Sequence, residues 1–187
     1  MKLHLGCGNR YLVGYTHIDH NDFPRLDFKH DISKLPMIDD ESVSIIYAAH
    51  VLEHFDDVKS LDVLQEWYKK LKKGGILRLA VPNFPVLLNL YTQYKDLKML
   101  TGPILGKQRT SDGMFISDPS TSHRSLYDWD KLSKRLLHIG FQEVSTWNWR
   151  EVFIGELEGF DDYSQAYIPH LDKENGTLIS LNVEGTK

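Results

Sequence analysis

The chain has 187 residues, 41% of them hydrophobic and 26% charged; a chain of that length buries roughly 70% of its unfolded surface, which excludes disorder for most of it. Lys and Arg number 22 against 26 Asp and Glu, a net charge of −4, so no general basic field recruits nucleic acid or an anionic membrane. A single cysteine excludes a disulfide framework and a Cys-based zinc finger, and no apolar run approaches the ~18 residues that span a bilayer. The N-terminus opens on Lys2-Leu3-His4-Leu5 with no apolar signal region, so a cytoplasmic domain is expected.

Short apolar runs broken by turn residues predict strands at Lys2–Leu5, Tyr15–Asp19, Arg25–His30, Val43–Ala49 and Gly75–Val81. The fourth and fifth are almost continuously apolar, as in strands buried on both faces of a helix-covered parallel sheet. Between them, Asp56 to Leu71 predicts a helix whose stripe is Val58, Leu61, Leu64, Trp67 or Tyr68, and Leu71. Asp56 and Asp57 suit its N-terminal end, the lysines 69, 70, 72 and 73 its C-terminal end, and Gly74-Gly75 its stop. This is a βαβ unit.

A second helix is predicted over Pro85–Leu100, with Leu87, Leu88, Tyr91, Tyr94, Leu97 and Leu100 on one face. Thr101–Ser122 has no clean period and reads as a long loop, a length that tends to be functional or disordered. Asp128 caps a third helix to about His138, with Trp129, Leu132, Leu136 and Leu137 inward and Gly140 as its stop. Gln142–Trp149 and Thr177–Val183 read as two final strands joined by Arg150–Gly176, a connection rich in acids near its start. The whole predicts one α/β domain, residues 1–187, with a Rossmann-like, mostly parallel sheet of seven strands and an antiparallel edge pair at its C-terminal end.

Gly6-Cys7-Gly8 follows the first strand directly, where glycines let backbone approach a ligand and leave N–H groups facing a crevice. Asp19 ends the second strand, where a carboxylate can accept hydrogen bonds from a ribose diol, and Asp31 lies near the end of the third. The glycine loop alone reads equally as an ordinary turn, and a turn role is the lesser reading of either acid alone; three signals on one sheet edge carry more weight.

These residues resemble the class I S-adenosylmethionine-dependent methyltransferases. The resemblance runs through Leu3-His4-Leu5-Gly6-Cys7-Gly8, Asp19, Asp31-Ile32 with Leu35-Pro36, and Asp40-Glu41-Ser42-Val43. It continues through Ala49-His50-Val51-Leu52-Glu53-His54, Leu71-Lys72-Lys73-Gly74-Gly75-Ile76-Leu77 and Val81-Pro82, covering about residues 2–83. It implies S-adenosylmethionine as cofactor and S-adenosylhomocysteine as product. Within it, the loop Gly6, Cys7, Gly8 would face the methionine part, Asp19 the ribose, Asp31 and Ile32 the adenine, and Ala49 and His50 would lie beside the cofactor. Residues 84–127 and 150–176 are left to contact the substrate.

Two departures stand out. Only Asn9–Gly14 and His20–Pro24 connect the first three strands, six and five residues, too short for crossover helices. One face of the sheet is thus expected to be thinly covered. A dinucleotide dehydrogenase fits less well, because Tyr11 stands where the third glycine of G-x-G-x-x-G belongs and Asp19 comes 13 residues after Gly6 rather than about 20.

His50-Val51-Leu52-Glu53-His54 also matches H-x-x-E-H, the inverted zinc-peptidase pattern, which requires both histidines on one helix. No metal is expected, since this segment leaves a buried strand. Cys7 reads as a small buried filler, and His17 with Asp19 as strand-end residues.

The expected activity is transfer of a methyl group to a small-molecule or saccharide acceptor, with His54 and His123 as candidate catalytic bases and His50 behind them. His123-Arg124-Ser125-Leu126-Tyr127 lies over the crevice or simply enters the third helix. Tyr91, Tyr94, Phe115, Tyr127, Trp129, Trp147 and Trp149 stack a ring or fill the core. The alternatives are a non-catalytic S-adenosylmethionine-binding domain and a zinc hydrolase built on His50, Glu53 and His54. No nucleic acid or membrane partner is expected, and the oligomeric state is not legible.

Overall fold

The apolar runs and glycine stops resolve into a seven-stranded sheet in the computed structural model, which describes residues 1–106, 108–109, 115–116, 121–155 and 160–187. Its strands are β1 (Lys2–Leu5), β2 (Thr16–Asp19), β3 (Phe28–Lys29), β4 (Val43–Ala49), β5 (Leu71–Pro82), β6 (Gln142–Thr146) and β7 (Ser180–Thr186). They lie in the order β3-β2-β1-β4-β5-β7-β6. The first five are parallel, while β7 runs antiparallel to both β5 and β6. Within the expected antiparallel pair, β7 is the inner strand and β6 the edge. Because β1 leads to β2 on one side and β4 lies on the other, the order reverses between β1 and β4, and such a switch point opens a crevice outside the carboxyl ends of the strands.

The two faces of the sheet differ in chemistry. Leu3, Leu5, Ile18, Ile46, Leu77, Leu79, Leu181 and Val183 form an aliphatic face under α1 (Asp57–Lys70) and α4 (Trp129–Ile139). Fully burying one such leucine stabilises the fold by about 1.5–3 kcal/mol. Asp56 caps α1 by accepting from the Val58 and Lys59 N–H groups, and Asp128 caps α4 through the Lys131 N–H. The stripe of α1 is rotated from the expected one. Ser60, Val63, Leu64 and Trp67 are buried, whereas Val58 in the capped first turn is exposed. Trp129 and Leu137 likewise face solvent on α4.

The opposite face carries His4, His17, Tyr47, Ala80 and Trp147, alternating along the strands with the aliphatic set. No crossover helix covers it near β1–β3, as the short connections require. Its cover comes from the other end of the chain: α5 (Trp149–Gly155) brings Phe153 onto Tyr47 and Trp147, and Phe160 packs against His4, Tyr47 and Phe153. Tyr127 and Trp147 are therefore core residues, while Tyr94 and Trp129 are exposed.

Three further elements depart from the reading by period alone. The helix expected over 85–100 is two, α2 (Phe84–Tyr94) and α3 (Lys98–Leu105), parted where Lys95 takes a left-handed φ of 54°. Leu87, Leu90 and Leu100 point inward and Leu88, Tyr94 and Leu97 outward. Residues 177–178 pair with 167–168 as a small ribbon before β7 begins. The expected loop 101–122 begins inside α3, and residues 107, 110–114 and 117–120, with the Phe115 side chain, lie outside the described residues.

Candidate active site

The glycine loop is held by its own carboxylate. Gly6 and Gly8 adopt left-handed φ values of 63° and 54°, which glycine alone takes without strain. A Cβ on Gly6 would stand 2.4 Å from a Val51 methyl carbon, so this glycine is required by packing; a Cβ on Gly8 meets nothing within 4 Å and stands in open space. Asp19, buried at the end of β2, accepts from the Gly8 N–H through Oδ2 at 3.0 Å and from the Asn21 N–H through Oδ1 at 2.9 Å. The His20 Nδ1 also lies 3.4 Å from Oδ1, which leaves about one of a carboxylate's roughly four acceptor positions. The open space at Gly8 and the spare capacity of Asp19 fit a nucleoside ligand.

Asp31 folds back on its own chain, accepting from the Ser33 N–H at 2.8 Å and the Ser33 hydroxyl at 2.9 Å. Ile32 is buried in the aliphatic core, and its carbonyl accepts from the Trp67 indole at 2.8 Å. Cys7 is buried, and that burial, with Asp19 nearby, pushes its thiol up to about 12, which removes it as a nucleophile. His17 is structural as well: its Nε2 accepts from the Leu12 N–H while Nδ1 lies 3.3 Å from Asp27.

Across the switch point, β4 ends at Ala49 and the chain turns sharply at His50, whose φ is 52°. Positive φ in a residue other than glycine is a strained conformation that clusters at functional positions. The His50 N–H donates to the Ala80 carbonyl at 2.8 Å, its Nε2 meets the Ser180 hydroxyl at 3.3 Å, and the Tyr163 ring stacks on it at 5.3 Å. Tyr163 is approached from the glycine loop by Arg10, whose guanidinium lies 6.0 Å from the ring centre and pairs with Asp161. The late segment 160–165 thus bridges the ends of β1 and β4.

His54 follows in a single 3₁₀ turn, residues 52–54. Because His50 precedes that turn at a left-handed residue, the two histidines do not share a helix. The inverted zinc-peptidase geometry is therefore absent. Instead His54 meets His123, edge to face at 5.0 Å. The end of α3 places His123: its N–H donates to the Leu105 carbonyl at 3.2 Å and its Nδ1 meets the Pro103 carbonyl at 3.0 Å. Gly106 makes this approach possible, since a Cβ there would stand 2.0 Å from the Thr121 carbonyl oxygen.

Glu53 lies behind these rings with no exposure. Neither carboxylate oxygen has a hydrogen-bond partner, although Oε1 is 3.5 Å from His50 Nδ1 and 3.8 Å from His123 Nε2. Burial raises the Glu53 carboxyl to about 8 and lowers His50 to about 3 and His123 to about 4; it lowers His54 as well. At neutral pH the cluster is uncharged, a protonated acid among neutral imidazoles.

His50, His54 and His123 open onto a cavity of about 800 Å³, within the range typical of small-molecule sites. Met99, Pro103, Ala166, Ile168 and Ile179 give it apolar walls; Arg10, Lys98, Asp161 and His170 are polar. Its aromatic residues are Tyr163 and Tyr167, and none of the seven aromatics singled out in the sequence lines it among the described residues. The sequence signal for this wall was the run Asp161-Asp162-Tyr163-Ser164 with Tyr167-Ile168-Pro169-His170. In the sequence Glu53 stood only within the H-x-x-E-H pattern and the Ala49–His54 stretch of the resemblance, with no role of its own.

The methyltransferase domain family matches residues 15–79, the stretch from the start of β2 to the middle of β5. The chain has the class I methyltransferase fold. Solved methyltransferases superpose over its whole length at low identity: one from Methanosarcina mazei at 17% identity and a TM-score of 0.58, covering 91% of that chain. An S-adenosylmethionine-dependent methyltransferase from Archaeoglobus fulgidus follows at 17% and 0.57, with 85% covered. The 1,6-didemethyltoxoflavin-N1-methyltransferase of Burkholderia thailandensis, solved with its substrate and S-adenosylhomocysteine, superposes at 12% and 0.57 over 70% of its length. No curated protein sequence matches the chain. The sheet here has the order β3-β2-β1-β4-β5-β7-β6, with no helix between β1 and β2 or between β2 and β3.

Proposed function

We propose that this methyltransferase domain binds S-adenosylmethionine against Gly6–Gly8 and Asp19 and transfers its methyl group to a small-molecule or saccharide acceptor held in the cavity beyond His50. The observation that carries the reading is the cavity's place: it begins at His50, at the carboxyl end of the strand beside the glycine loop. When bound, the cofactor supplies a methyl carbon made electrophilic by the adjoining sulfonium. The chain contributes alignment and exclusion of water.

Each residue has a separable task. Gly8 leaves room for the ligand, and Asp19 both fixes the loop and offers an oxygen to a ribose. Asp31 lies on the same edge as the residue proposed for the adenine, and Ile32 would act there only through its backbone, since its side chain is core. Tyr163, stacked on His50, closes the space between cofactor and acceptor from water. The acceptor's proton goes to a neutral imidazole: Nδ1 of His54 directed at the Ser122 carbonyl and Nδ1 of His123 at the Pro103 carbonyl hold the proton on those nitrogens, which makes Nε2 the basic nitrogen of each ring.

Among the described residues no helix is long and apolar enough to cross a membrane. The test is release of S-adenosylhomocysteine on incubation with S-adenosylmethionine and panels of hydroxylated small molecules, amines and saccharides. Acceptor-dependent product that is lost in His54→Ala/His123→Ala supports the assignment. Cofactor binding without turnover on any acceptor favours the non-catalytic binding domain.

A further inference from the structure

Glu53, His54 and His123 meet in a way that the transfer reaction does not require. Their ligating atoms all lie within 4.8 Å of one another, in a pocket wall contributed by the end of β4 and the segment after α3. Glu53 has no exposure and no hydrogen-bond partner on either oxygen. Leaving such a group unpaired costs about 1–3 kcal/mol, a cost that persists only where something else meets it.

The two imidazoles are prepared by their outer partners. His54 directs Nδ1 at the Ser122 carbonyl, 3.3 Å away, and His123 directs Nδ1 at the Pro103 carbonyl, 3.0 Å away. A backbone carbonyl at Nδ1 holds the proton on that nitrogen and leaves Nε2 as a bare lone pair, the arrangement by which metal-binding histidines are usually oriented. The Nε2 lone pair of His123 faces Glu53 Oε1 at 3.8 Å. Donors around a tetrahedral Zn²⁺ stand about 3.4 Å apart, so closing on an ion asks the side chains to move by roughly 1 Å or less.

We propose that Glu53, His54 and His123 form a binding site for one divalent transition-metal ion, with an open coordination position on the cavity. Two imidazoles and one carboxylate suit Zn²⁺ and its neighbours Co²⁺ and Ni²⁺ rather than Mg²⁺ or Ca²⁺, which take oxygen ligands. Three protein ligands with a free position are the pattern of sites that take up a water or a substrate oxygen. The inference rests on the proposed place of the acceptor beside this histidine pair: with the ion bound, both Nε2 lone pairs are committed to it and no longer serve as bases, and the ion instead would draw in a hydroxyl or carbonyl oxygen of the acceptor and ease loss of its proton. It differs from the zinc hydrolase considered from the sequence, because His50 is not a ligand and His123, distant in sequence, takes its place.

The test needs neither cofactor nor acceptor, so its failure leaves methyl transfer untouched. The full chain, stripped with a chelator, is titrated with Co²⁺ while its visible d–d absorption is followed. One equivalent is expected to saturate an intense low-symmetry spectrum, and Zn²⁺ to displace it. His123→Ala and Glu53→Gln, each checked for native circular dichroism, are expected to weaken uptake by more than the ~10–100-fold that loss of an outer partner costs. His138→Ala, on the exposed last turn of α4, is expected to titrate as the parent does. Two variants are used so that misfolding of one leaves the other to report. No saturable uptake by the parent chain, or uptake unchanged in a folded ligand variant, overturns the proposal.

Discussion

Tyr47 and Asp162, 115 residues apart in sequence, join in a hydrogen bond between phenol and carboxylate with both groups buried. Tyr47 is in the middle of β4 and Asp162 caps the turn at 163–165, where it also accepts from the Ser164 N–H and hydroxyl. This contact fastens the late segment to the sheet face that the missing crossover helices leave bare. Burial raises both groups above their ordinary values, the Tyr47 phenol well above.

Tyr47→Phe removes the donor and leaves Asp162 with one partner fewer in a buried place. A loss of about 1–3 kcal/mol is expected, read as a lower urea midpoint with an unchanged slope. Amide exchange should quicken first at residues 160–165. Unchanged exchange there would mean that the segment is held by its aromatic packing alone.

His4 gives stability a pH dependence of known sign. Its ring is enclosed by His17, Tyr47 and Phe160, with Arg10 near enough to oppose a further positive charge. Burial lowers it from 6.5 to about 3. The unfolded chain therefore takes up a proton below pH 6.5 that the folded chain refuses until about pH 3. The contribution is fully present above pH 6.5 and lost as pH falls toward 3, by up to about 1.4 kcal/mol per pH unit. His4→Phe is expected to flatten the stability curve across that window, by chemical denaturation at a series of pH values. Parallel curves for the two proteins would show that His4 is protonated in the fold.

Gly106→Ala tests the placement of His123. The new Cβ would meet the Thr121 carbonyl and the His123 ring, on a residue whose φ of 68° already costs a side chain about 1–2 kcal/mol. Turnover is expected to fall on the order of 10–100-fold as His123 shifts, while affinity for S-adenosylhomocysteine stays at the parent's value. A parallel loss of both would show that α3 supports the cofactor as well.

Much of this architecture is legible in the chain. Two nearly continuous apolar runs around one capped helix read as a buried βαβ unit because every register of such strands is buried. Gly6 to Gly8 and Asp19 could be paired in advance because strand ends of a parallel sheet share an edge. What escaped depends on distant packing. Gln142–Trp149 looks like one strand from its alternation, yet Trp147 sends its indole N–H to the Leu79 carbonyl and the chain then turns into α5 to bury Phe153. Val58 reads as apolar stripe, but the face of α1 is set by where Asp56 caps it. Glu53 could not be recognised as isolated because its isolation is made by residues 70 positions away.

Gly8→Asn distinguishes a ligand cradle from a structural turn. Asparagine tolerates left-handed φ, so the fold should survive, while its side chain enters the open space beside Asp19. Asp19→Ala frees the Gly8 and Asn21 N–H groups and is expected to cost both affinity and stability, whereas Asp19→Asn keeps an acceptor and is expected to cost mainly affinity.

Calorimetric titration of the full chain with S-adenosylmethionine and S-adenosylhomocysteine, paired with thermal unfolding, tests the central claim most directly. Saturable one-to-one binding of both is expected, with ~2.7 kcal/mol of stabilisation at 100 times Kd and a rise in Tm of roughly 5–10 °C. Both should be lost in a folded Gly8→Asn variant. No heat and no shift with either ligand, or binding that Gly8→Asn leaves intact, would contradict the assignment of this crevice to the adenosyl cofactor.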